Sequence, residues 1–597
     1  MTEFDYDVVV IGSGFGGSVT ALRLTEKGYR VGVLEAGRRY TNETLPKTSW
    51  RLRKFLWAPK LGLHGIQRIT LLKDVLILSG AGVGGGSLVY ANTLYEPLGA
   101  FYDDHQWRHI TDWRDELAPF YDQAKRMLGV VQNPTITPSD VAMKKVADEL
   151  GVGHTFHLTP VGVFFGDEPG KQVDDPFFGG VGPRRTGCIE CGNCMIGCRY
   201  GAKNRLDTNY LHLAERGGTQ VHPDTTATAV RPLDGGGYAV DTVRTGSWRT
   251  GTPTRTFRAE QVVFSAGSLG TQRLLHTMRD GGVLPNISPR LGQLTRTNSE
   301  SLLGATTQRR DVDYSQGVAI TSSFYPDDHT HIEPVRYGKG SNMMGMLSSL
   351  LTDGDGPVPR WVKFLSQALA HPLHLLRSMI LRHWSERTII ALVMQSLDNS
   401  ITTYRKKGLL GTRLHSRKGH GEANPTWIPA GNDAARRLAK VIDGQPGGTV
   451  GEIANIPMTA HIIGGCAIGD SPETGVLDPF QRVYGHEGLH VADGSALSAN
   501  LGVNPSLSIT AQAERTMSLW PNKGEADARP PLGEPYRRIE PVMPHWPAVP
   551  ATARAALRFT APESERIAQA APDRLAHGEV SDALHAGSIP DPLGHVS

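Results

Sequence analysis

The chain has 597 residues, with 62 Lys and Arg against 59 Asp and Glu, a formal charge of +3. That length exceeds one ordinary domain and can bury a large core, while so balanced a charge provides no field for nucleic acid, so no nucleic-acid partner is expected. No run of eighteen or more uncharged apolar residues occurs, and the start MTEFDYD enters a strand too soon to leave room for a signal peptide; a cytoplasmic or membrane-peripheral protein is expected.

The first strand is YDVVVI, Tyr6 to Ile11, a β-branched run suited to a buried parallel strand. It enters a glycine turn at Gly12, Gly14, Phe15, Gly16 and Gly17, continues into a helix that ends at Gly28, and returns as the strand RVGVL before Glu35. Glycines at these positions permit a tight turn and close approach of a pyrophosphate to the helix N-terminus, whose N–H groups favour anions. Glu35, 21 residues after Gly14, stands where a carboxylate would bond the ribose hydroxyls of a dinucleotide. Strand, turn, helix, strand and acid in this order make an α/β, Rossmann-like unit.

Next come WRLRKFLW, Trp50 to Trp57, and a second glycine-dense stretch from Gly80 through Gly85, Gly86, Tyr90, Asn92 and Thr93. Cys188, Cys191, Cys194 and Cys198 then form Cys-x2-Cys-x2-Cys-x3-Cys, the ligand run of a bacterial ferredoxin without its following proline. Without an export signal a disulfide is disfavoured. The spacing suggests a [4Fe–4S] cluster, with zinc second, Cys466 as an alternative ligand to Cys198, and a metal-free thiol loop as the plain reading. Val262 to Leu275 reads as strand, turn and helix. The stretches Trp361 to Leu369 and Leu375 to Trp384 mix basic and bulky apolar residues, a pattern shared by interfacial helices and by ordinary amphipathic ones. His461 precedes Asn504 by 43 residues, with the strand GLHVAD, the turn Asp493-Gly494-Ser495 and a helix from Ser506 in the same segment. From Pro521 to Ser597 the chain is rich in Pro, Ala and charge and reads as extended or disordered.

The segments around Gly12, Gly80, Val262 and His461 to Asn504, with GVGGGSLV, VADGS and GVNPS, together resemble the glucose–methanol–choline (GMC) flavoprotein oxidoreductases from about residue 5 to about 520, and within them the sterol-oxidising bacterial enzymes. The resemblance implies FAD held non-covalently by a domain built from residues 1–120, 200–300 and 452–520. It also implies a substrate domain of residues 301–451, with an insert at 40–75, whose sheet roofs the flavin, and a connecting region of residues 121–199. It places Gly12, Gly14, Phe15, Gly16, Gly17, Glu35, Gly85, Gly86, Tyr90, Asn92, Thr93, Ala227, Asp493, Gly494, Asn504 and Ser506 at the cofactor. His461 and Asn504 would serve alcohol oxidation. Glu333, in HIEPVR, would be the carboxylate that isomerises the steroid, with Asn298 and Glu300 as secondary candidates near the entrance.

Three activities are compatible with this sequence. One is oxidation of a sterol 3β-hydroxyl to the ketone, with O2 reduced to H2O2 and Δ5 to Δ4 isomerisation following. Another is dehydrogenation of a different bulky or long-chain alcohol, feeding a cluster or an electron carrier. A third is a flavin electron-transfer protein without alcohol turnover. Peripheral contact with a membrane fits the first.

Overall fold

The computed structural model describes residues 4–247, 253–408 and 411–559. β1 (Tyr6–Ile11), α1 (Phe15–Glu26) and β2 (Val31–Leu34) form the expected unit, with Val8 opposite Val31 and Ile11 opposite Leu34 in parallel. Every residue of both strands is buried, as in a parallel sheet covered on two faces. On its other side β1 pairs in parallel with the strand Arg255–Phe264, which in turn takes Leu489–Val491 in parallel. Gln220–His222 adds to the free edge of β2, and the antiparallel strands Tyr238–Arg244 and Thr225–Pro232 complete seven strands. Three distant stretches of sequence therefore build one sheet.

The helices Trp113–Leu128 and Ser506–Ser518 lie with α1 in a layer against this sheet. Buried charges lock them together. Arg23 of α1 donates to both carboxylate oxygens of Glu514 at 2.7 and 2.8 Å and to Glu26 at 2.7 Å, while the Tyr210 hydroxyl donates to Glu514 at 2.6 Å. Such charges persist in a core only when paired, and removing one partner is costly.

A second seven-stranded sheet runs in the order Ser348–Leu350, Gly444–Thr449, Ser301–Thr307, Thr388–Gln395, Thr330–Val335, Ser322–Asp327 and His157–Leu158, antiparallel throughout. Its two faces divide by the period of two. Ile389, Ala391 and Val393 pack with residues of the helices Pro138–Glu149 and Pro429–Val441, whereas Ile390 and Leu392 face a cavity below. Residues 121–199 are more than a connector, since they supply one of these helices and the edge strand His157–Leu158. Two further helices, α2 (Arg360–Ala370) and α3 (Pro372–Ser378), stand at the rim.

The tail departs from expectation. Residues 521–559 have no regular secondary structure, but they are an ordered strap across the first domain. Lys523 donates to Asp7 at 2.5 Å, and the backbone N–H of Ala548 donates to the Glu26 carboxylate at 2.8 Å. Val549, Ala553 and Ala555 are buried. Small apolar residues at close spacing fill a groove without the bulky side chains by which a core segment is usually recognised. The rest of the tail, 560–597, lies outside the described residues.

Candidate active site

The two sheets enclose a cavity of about 520 Å³. Its polar end begins at the N-terminus of α1, where Gly14 precedes the helix without a side-chain cap. Gly12 and Gly16 are required for different contacts. A Cβ on Gly12 would be built into the backbone of Ser265, and one on Gly16 into the carbonyl of Ala492. Gly14 instead faces open space, with nothing within 4 Å of a Cβ added there. The turn is thus clamped from behind and open in front, as an anion seated on helix N–H groups requires.

Phe15, Glu35, Gly85, Gly86, Tyr90, Thr93, Ala227, Asp493, Gly494, Asn504 and Ser506 also line the cavity. Glu35 accepts from the Ser13 hydroxyl at 2.6 Å and from the N–H of Gly37 at 2.7 Å. Asp493 accepts from Ser495 Oγ and Thr271 Oγ1, each at 2.5 Å, and burial raises its pKa despite those bonds. Two residues assigned to the cofactor do not reach the cavity. Gly17 is packed beneath the turn against the Gly12 carbonyl, and Asn92 lies behind the wall with its side chain beside Cys194.

Arg68 and Arg273 also line this end, and the sequence did not reveal them. Arg68 sits on the half-exposed strand Gln67–Leu71, and burial of its guanidinium, with the like charge of Arg273, brings its pKa down to about 10. It therefore stays charged at neutral pH. A basic residue in a short strand carries no local mark of an anion site, so only the fold could show it.

At the other end His461 and Asn504 meet two carboxyls. His461 Nδ1 lies 2.8 Å from Glu300 Oε2, and Glu300 is itself held by the Thr459 hydroxyl at 2.8 Å and the N–H of Ala460 at 3.1 Å. Asn504 Nδ2 donates to Glu333 Oε2 at 3.3 Å. Glu333 is fully buried on the strand Thr330–Val335, just outside the cavity lining. Burial, with a smaller push from the charge of Glu300, lifts its pKa to about 8 against the opposing bond from Asn504. The second oxygen of Glu333 and the amide oxygen of Asn504 are buried without partners, which marks a place where another polar group belongs. Asn298 has a different part from the one expected. Its backbone N–H donates to Asn500 Oδ1, its side chain donates to the Val503 carbonyl, and its Oδ1 accepts from the N–H of Gly502. It pins the loop that carries Asn504 and does not line the entrance.

The cysteine run lies behind the cavity wall, its four thiols unpaired around a small separate hollow. Cys466 is elsewhere, buried next to Ser495 and Asp493, so its part as an alternative ligand is ruled out.

A family model described as GMC oxidoreductase matches residues 433–513, and one described as FAD dependent oxidoreductase matches residues 7–385. The chain is 64% identical to a cholesterol oxidase of Mycobacterium tuberculosis over 93% of its own length and 98% of the relative's. The chain belongs to the GMC oxidoreductase family. A cholesterol oxidase of Acinetobacter baumannii is 45% identical over 88% of this chain and 96% of that protein. Among solved structures, pyridoxine 4-oxidase from Mesorbium loti matches with a TM-score of 0.56 at 16% identity, covering 86% of this chain and 98% of the other, a likeness of fold.

This GMC protein is an FAD-dependent alcohol oxidoreductase, and its cavity fits FAD: an open glycine turn at a helix N-terminus, cations at one end, and unpaired buried polar atoms at the other. Gly14 and Gly16 should separate binding from folding. Gly14→Ala is expected to fold with a normal melting temperature but to hold FAD at least about tenfold more weakly, a loss of about 1.4 kcal/mol. Gly16→Ala, forced against Ala492, should lose about 1–3 kcal/mol of stability or more, seen in denaturant unfolding.

Proposed function

We propose that this protein oxidises the 3β-hydroxyl of a cholesterol-like sterol to the 3-ketosteroid, with O2 as acceptor and H2O2 as product, and then moves the ring double bond from Δ5 to Δ4. The observation that carries this reading is the contact between Asn504 and the buried carboxyl of Glu333 beside the His461–Glu300 pair. Alcohol oxidation alone needs one proton acceptor; a second, buried carboxyl suits a proton moved across an apolar ring system. The cholesterol oxidases of Mycobacterium tuberculosis and Acinetobacter baumannii among the relatives support the substrate class.

When bound, FAD supplies the hydride acceptor and passes the electrons on. His461 receives or orients the hydroxyl proton through Nε2, because Glu300 Oε2 stands 2.8 Å from Nδ1 and leaves the other nitrogen to the substrate. Asn504 donates one amide proton to Glu333 and presents the rest of its amide to the substrate oxygen. Glu333, as carboxylate, removes the C4 proton and returns it at C6. The apolar residues Ile390, Leu392 and Val335 line the cavity and exclude water from the steroid. Gly12, Gly14, Phe15, Glu35, Arg68 and Asp493 would hold the cofactor.

The route of the sterol is proposed from the rim. In α2 and α3 the residues Trp361, Leu365, Leu369, Leu373 and Leu376 are exposed, Leu369 by 82%, while Arg377 of α3 and Ile380 just beyond it line the cavity. An apolar surface of this kind favours contact with a partner or a bilayer. No helix among the described residues is long and apolar enough to cross a membrane.

Anaerobic flavin reduction by cholesterol tests the reading directly, and no bleaching by any 3β-hydroxysteroid would reject it. His461→Ala should slow that reduction by about 10²–10⁴. Glu333→Gln should leave it within about tenfold while the product stays the unconjugated Δ5 ketone, followed by enone absorbance. In the unmodified enzyme, isomerisation should increase as pH rises through about 8, because the basic carboxylate form of Glu333 grows over that range. A paired Trp361→Ser, Leu369→Ser variant should turn over sterol in phospholipid vesicles about tenfold more slowly, yet match the parent on sterol supplied in cyclodextrin. Equal loss in both assays would argue against membrane docking.

A further inference from the structure

We infer that Cys188, Cys191, Cys194 and Cys198 together hold one [4Fe–4S] cluster in the hollow behind the flavin-side wall. The sequence spacing left open whether all four serve one metal centre. The fold settles their placement: all four line the same hollow, with Lys203 and Gly317 closing it. The backbone turns back on itself to achieve this. Gly192, Gly197 and Cys198 all have left-handed φ values, of 67°, 107° and 61°, and the run is tied to a neighbouring loop by the N–H of Gly192 bonding the Gly317 carbonyl at 2.8 Å and the N–H of Gly317 bonding the Glu190 carbonyl at 2.7 Å. A non-glycine residue at positive φ is uncommon outside sites where it does something. A loop of four thiols bent in this way is built inward.

Two observations, beside the ferredoxin spacing Cys-x2-Cys-x2-Cys-x3-Cys, favour a cluster. The thiols are free, so the run is no disulfide pair. Also, donors face the sulfurs, as around sulfur clusters: the Asn92 side chain is fully buried against the Cys194 thiol, and the N–H of Glu190 donates to Cys188 Sγ at 3.4 Å. This accounts for Asn92, which the flavin cavity leaves unused.

The site is one residue layer from the main cavity. Lys203 Nζ donates to the carbonyls of both Tyr90 and Cys194 at 2.8 Å, and Tyr90 and Met195 line the main cavity. The proposal concerns what the thiols bind and holds whichever alcohol is oxidised.

Full-length protein, expressed with iron supplied and purified without oxygen, should contain about four irons and four acid-labile sulfides per flavin, with a broad absorption beneath the flavin bands and a paramagnetic signal after dithionite reduction. Cys188→Ser with Cys191→Ser should lose the iron while retaining FAD, and Cys466→Ser should keep both. Should the double variant fail to fold, Asn92→Ala offers a milder test: the iron should remain and the cluster potential shift. Zinc in place of iron, no metal in anaerobic flavin-replete protein, or loss of iron in Cys466→Ser would each overturn the assignment. The metal count does not depend on sterol turnover, so failure of the sterol assay leaves it standing.

Discussion

The architecture depends on a backbone crossing at which side chains are not tolerated. The turn from Gly12 to Gly17 is pressed against Ser265 and Ala266 on one side and against Ala492 on another. Three stretches of chain, separated by more than two hundred residues each, touch there through main-chain atoms. The crossing aligns the C-terminal ends of β1, of Arg255–Phe264 and of Leu489–Val491, where ligands of open α/β sheets collect. It also brings the segment that carries His461 and Asn504 beneath the second sheet, so cofactor and chemistry share one frame.

What could be read in the sequence was what is local. The first βαβ unit declares itself because its turn, helix and strand are contiguous and their residue types follow from steric need. His461, Asn504 and Asp493 were legible for a similar reason, being grouped around one turn. Glu333 was located through resemblance, and its contact with Asn504 depends on a strand register, Glu333 opposite Leu392, that spacing cannot express.

Other parts are visible only in three dimensions. Glu300 appeared as an entrance residue, but a turn through left-handed Asn298 and Ser299 delivers its carboxylate to His461. Arg68 and Arg273 come from different elements and converge on the cavity alone. Asn92 sits in the glycine-rich stretch that borders the cofactor, yet the backbone, left-handed at that residue with φ of 70°, turns its side chain to the cysteines. The strap of 521–559 was misread because composition reports bulk hydrophobicity, whereas Val549, Ala553 and Ala555 succeed by fitting a groove.

The order of strands in the first sheet has a consequence for how the protein is made. Its last member, Leu489–Val491, is synthesised after more than four-fifths of the chain, and the helix Ser506–Ser518 that neutralises Arg23 through Glu514 comes later still. A growing chain can therefore complete all seven strands of the roof sheet while its nucleotide cradle still lacks a wall and Arg23 has only Glu26 of its own helix as a partner. Long-range pairings of this kind are slow to form and expose apolar edges while they wait. Flavin capture must wait for the segment from Leu489 to Ser518, which makes that stretch the gate to maturation.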